Sequence, residues 1–103
     1  MIARNKIQGI NMFGLIKVLR KTRKFLALPD NCFLWSQWPD TNAALAEIDK
    51  VIAHLEMGII LNKQELVLLF APTGQIQEVS ISSGWAEEFL ALAERFDDEI
   101  SKV

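Results

Sequence analysis

The sequence predicts an α+β domain. It is a small two- or three-stranded sheet containing a β-hairpin over residues 65–82, packed with three helices in the order α-β-α-β-β-α. Three observations carry that expectation. Residues 41–57 and 85–101 repeat apolar side chains every three or four positions, the pattern of helices with one buried face. Residues 65–70 (ELVLLF) are apolar on both alternating faces, as in a covered strand. A Pro72-Thr73-Gly74 turn then leads into residues 75–82 (QIQEVSIS), read as the partner strand.

Taken in chain order, residues 1–11 show no period and are expected to form a loosely ordered leader ahead of a single α+β domain over 12–103. Residues 12–28 predict the first helix. Leu15, Val18, Leu19, Thr22, Phe25 and Leu26 share one face, and Lys17, Arg20, Lys21 and Lys24 share the other. Pro29 ends it, having no N–H and restricting Leu28. The connector that follows has Pro-Asp at both ends and a short expected strand at residues 32–36.

The second helix, 41–57, is expected to start at an Asp40 or Thr41 cap, bury Leu45, Ile48, Ile52 and Leu55, and stop at Gly58. In the expected hairpin, Phe70 meets Ile76 and Val67 meets Val79. That register sets Val67, Leu69, Val79 and Ile81 on one face. The last helix, 85–101, carries the stripe Trp85, Phe89, Leu92, Phe96 and Ile100, with Ser83 or Gly84 as its cap. Glu87 and Glu88 fall in its first turn, where the helix dipole favours negative charge.

Composition bounds the class. A chain of 103 residues that is 50% hydrophobic suits one domain with its own core, and a disordered chain is excluded. The single cysteine, Cys32, excludes a disulfide scaffold and agrees with a reducing, cytoplasmic setting. The apolar run 66–71 is far short of the roughly 20 residues a spanning helix needs, so no transmembrane segment is expected. Lys17 and Arg20 interrupt the stretch where a secretory apolar region would lie.

The net charge of −2 hides an uneven arrangement. Residues 1–29 carry seven cations and no acid, while residues 30–103 carry all 13 acids against four cations, a balance of −9. Such asymmetry raises the question of partners. The candidate partner-binding residues are the cations Lys17, Arg20, Lys21 and Lys24, with the connector aromatics Trp35 and Trp38. Tryptophan supplies interface anchors as well as core area.

The resulting expectation is a non-enzymatic protein–protein interaction module, an adaptor or accessory subunit, docking a protein partner or a second copy of itself. The alternative is a nucleic-acid-associated protein contacting phosphates through the basic helix; the acidic remainder weighs against it. No catalytic, metal or cofactor site is expected. His54 has no visible orienting group or nucleophile beside it, and neither His54 nor Cys32 has a second ligand at metal-binding spacing. The runs Glu87-Glu88 and Asp97-Asp98-Glu99 fan out at about 100° per helical residue and read as a solvated face.

Overall fold

Residues 12–26 repeat apolar side chains at intervals of three and four, and the repeat becomes helix α1, Arg4–Leu26. The computed structural model describes residues 4–60 and 62–103, with side chains from residue 12 onward. The leader expected over residues 1–11 therefore lies outside the residues described with side chains. Met12, Leu15, Val18, Leu19, Thr22 and Leu26 are buried along one face of α1. The one polar member, Thr22, turns its hydroxyl back to donate to the Val18 carbonyl at 2.9 Å, so no buried donor is left open.

Beyond α1 the chain turns through a connector held by side chains. The Asn31 amide donates to the Phe25 carbonyl at 2.7 Å, and its oxygen accepts from the Trp85 indole at 2.9 Å. The Cys32 N–H donates to the Ser83 hydroxyl at 2.8 Å. The expected strand at 32–36 is absent. Ser36 folds the segment into a turn, its N–H and hydroxyl both donating to the Phe33 carbonyl at 3.0 and 2.9 Å. A hydroxyl that bonds local backbone competes with an extended chain.

Helix α2, Thr41–Glu56, begins where Asp40 accepts from the Ala43 N–H at 2.9 Å. It buries Ala44, Ile48, Ile52 and Leu55. Gly58, at φ +76°, ends it in a Schellman turn: the Ile59 N–H reaches the His54 carbonyl and the Gly58 N–H reaches the Leu55 carbonyl, both at 2.9 Å.

The expected hairpin over 65–82 is overturned, and the α+β class with it: no strand occurs among the described residues. The chain instead forms α3, Lys63–Leu69, and α4, Gln75–Ser83. A short apolar run fits a strand or a buried helical turn equally well by periodicity. What decides is spacing and capping. Leu66, Leu69 and Phe70 are buried, as are Ile76, Val79 and Ser80, each set at i, i+3 and i+4. Asn62 caps α3 by accepting from the Glu65 N–H at 3.1 Å. The turn residues serve a helix–helix corner: the Gly74 N–H donates to the Ala71 carbonyl at 2.9 Å. A Cβ at Gly74 would stand 2.6 Å from the Leu68 carbonyl oxygen, so the approach of the two backbones requires glycine.

Gly84, at φ +89°, closes α4 and turns the chain into α5, Ala86–Ile100. The expected capping roles of Ser83 and Gly84 at the last helix are also corrected. Trp85 occupies the N-cap position, Gly84 terminates the preceding helix, and Ser83 accepts from Cys32. The apolar stripe of α5 is as expected, with Trp85, Phe89, Leu92, Phe96 and Ile100 buried. α1 is the central element, packed on one side against α2 and on another against α5, while α4 packs on α5. Phe70 stacks on Phe96 with ring centroids 4.2 Å apart, and Phe25 stacks on Trp85 at 5.0 Å. The small core is thus closed by aromatic pairs at both ends of α5.

Candidate protein-interaction surface

On α1, burial of one face forces the cations outward, but the neighbouring helix divides them. Arg23 grips Asp49 of α2 through two nitrogens, at 2.5 and 3.0 Å. Arg20 pairs with Glu56 at the end of the same helix. The hydrogen bonds and then the charge of Asp49 raise the Arg23 pKa. The bond from Arg23 correspondingly holds the Asp49 carboxyl below its ordinary value near 3.8. The arginines on the α2 side of α1 are therefore neutralised within the chain.

Lys17, Lys21 and Lys24 are exposed, and among the described residues no carboxylate lies within ion-pair distance of them. The Lys17 ammonium sits 5.7 Å above the Phe13 ring, itself 66% exposed. Phe13, Lys17 and Lys24 stand at i, i+4 and i+11, a line along the outer side of the helix, with Lys21 beside it. This strip combines one exposed aromatic ring with three free cations.

The two connector tryptophans separate. Trp38 is 5% exposed, and its indole N–H donates to Glu47 at 2.8 Å. It is a core residue and offers no contact surface. Trp35 is 70% exposed and lines a groove of about 450 Å³ with Leu68, Glu47, Glu65 and Glu78. No cation lines that groove. Trp35 therefore belongs with carboxylates, apart from the α1 lysines with which sequence grouped it.

Glu65, Leu68 and Glu78 come together because residues 65–82 fold as two helices, which puts Glu65 and Leu68 on one side of α3. The strand reading conceals that juxtaposition. The available signal was Asn62 three residues before Glu65, a helix-start pattern.

His54 lies with Lys50, Glu47 and Glu65 along a neighbouring cleft between α2 and α3. Cys32 is half-buried. Among the described residues no group of three His, Cys, Asp or Glu side chains is gathered to hold a metal ion. No helix among them is long and apolar enough to cross a membrane. Comparisons of the chain with protein-family models, with curated proteins and with solved structures found no match.

Proposed function

We propose that the chain is a non-enzymatic protein–protein interaction module that docks an acidic protein surface through the outer strip of α1. One observation carries this reading. Lys17, Lys21 and Lys24 stay exposed beside the exposed Phe13, with no ion-pair partner among the described residues, while Arg20 and Arg23 are engaged by α2. A rigid helix held on its other side by the core presents such a strip with little ordering cost on binding. Nucleic acid fits less well. Two of the cations on α1 are already neutralised, and residues 30–103 carry −9, which repels phosphates. The lone thiol of Cys32 suits a reducing cytoplasm, the compartment this reading takes.

The test is affinity capture from extract with and without nuclease treatment, comparing the wild type with a Lys17→Glu/Lys21→Glu/Lys24→Glu variant. A protein retained by the wild type, released by moderate salt and absent with the variant is the expected result. Identical recovery with both chains, or capture that disappears with nuclease treatment, overturns the reading.

A further inference from the structure

The geometry points to a second copy of this chain as the occupant of the Trp35 groove, with the α1 strip of one copy lying along the groove of the next. This rests on the docking reading of the strip and names its partner. The two surfaces match in sign and in kind. The strip offers Phe13 and three lysines without an ion-pair partner among the described residues, over the twelve residues from Phe13 to Lys24, about 16 Å of helix. The groove offers the exposed rings and methyls of Trp35 and Leu68 among three carboxylates, Glu47, Glu65 and Glu78, with no cation along its lining.

An aromatic ring set against Trp35 and Leu68 removes the apolar area of both surfaces from water. The lysines then lie along carboxylates, where opposite potentials steer encounter and fix register. Of the groove carboxylates, Glu47 alone is already hydrogen-bonded, to the Trp38 indole; that bond leaves its charge and its second oxygen available.

Strip and groove are different patches, so the contact is heterologous. Each copy that uses its strip still has an open groove, and each copy that offers its groove still has an open strip. Such contacts close into rings or continue as open chains. That property gives the proposal a signature that a two-fold dimer lacks.

The experiment is sedimentation velocity at low salt over a range of concentrations. It uses the wild type, the strip variant Lys17→Glu/Lys21→Glu/Lys24→Glu, and a groove variant, Trp35→Ala/Glu65→Gln, which loses the aromatic ring and one carboxylate of the lining. All five positions are exposed, and circular dichroism of each chain checks that it stays folded. Species heavier than the monomer, growing with concentration and dispersed by salt, are expected for the wild type. Each variant alone should be monomeric, because it lacks one of the two patches. Mixing the variants should restore a 1:1 complex, since the intact groove of one meets the intact strip of the other.

A wild type that stays monomeric overturns the proposal, and so do single variants that still self-associate or variants that ignore each other when mixed. If the wild type stays monomeric yet oligolysine changes a tryptophan emission that the groove variant no longer shows, the groove takes a foreign cationic segment instead. The capture experiment is independent of these outcomes. An acidic partner retained through the strip by a monomeric chain would leave the docking reading standing without the second copy.

Discussion

The Trp38 indole donates to the Glu47 carboxylate at 2.8 Å, tying a ring that is 5% exposed to a side chain on the wall of the groove. One residue of the connector thus contributes to the core and sets the position of a surface charge. Trp35, three residues earlier, does neither, because the turn around Ser36 directs it outward.

The two tryptophans should respond differently to substitution. Trp38→Phe keeps most of the ring but loses the bond to a charged acceptor, at a cost of about 1–2 kcal/mol. Trp35→Ala should change stability by no more than about 0.5 kcal/mol, as at other exposed positions. Urea unfolding of both variants, followed by circular dichroism, measures the difference.

Neighbouring leucines of α3 distinguish the helix from a strand. Leu68 is 57% exposed and Leu69 is 7% exposed. Leu68→Glu should therefore be nearly neutral, within about 0.5 kcal/mol. Leu69→Glu would bury an unpaired carboxylate and cost upwards of about 3 kcal/mol. Far-UV circular dichroism and denaturant midpoints of the two proteins decide the matter.

Acid should loosen the α1–α2 contact. Asp49 titrates lower in the folded chain than in the unfolded one, because Arg23 bonds its charged form. Its contribution is complete above the unfolded value and is lost as pH falls through the lowered folded value. The wild type should melt above Asp49→Asn at neutral pH, with the gap closing below about pH 4, where an ordinary aspartate begins to protonate. Thermal melts across a pH series read this directly.

Two glycines should behave in opposite ways. Gly74→Ala drives a methyl against the Leu68 carbonyl, a backbone atom that cannot swing aside, and should cost about 1–3 kcal/mol. At Gly14 the three atoms nearest an added methyl all belong to the Glu99 carboxylate, the end of a flexible side chain that can swing aside. Gly14→Ala also removes a poor helix former, so it should be neutral or stabilising by up to about 1 kcal/mol. Denaturant midpoints of the pair provide the comparison.

The legible parts of the fold were those in which one period ran long enough to exclude the alternative. The stripe from Trp85 to Ile100 spans four turns, and no strand pattern fits it. The run from Leu66 to Phe70 covers little more than one turn, too short for period to choose between helix and strand, and the Asn62 cap carried the missing information. On the surface, the outward cations of α1 followed from its buried face. Which of them stayed free did not, because the pairing of Arg23 with Asp49 depends on how α1 crosses α2. The separation of Trp35 from Trp38 goes with a turn bonded by the Ser36 N–H and hydroxyl and with the Trp38–Glu47 bond, local and tertiary contacts that no periodicity reports.

Asn31 works as a two-ended clasp, giving a hydrogen to the last turn of α1 and taking one from Trp85. Those roles fix which end of the amide is nitrogen, and they leave no room for an acid. Deamidation with age would set a negative oxygen against the Phe25 carbonyl where a donor had been, while leaving the Trp85 bond intact. The joint would then loosen on the α1 side first, while the Cys32–Ser83 bond and the buried Trp38 keep the rest of the connector in place, so slow chemical wear at one side chain would slacken the hinge beside α1 and spare the groove.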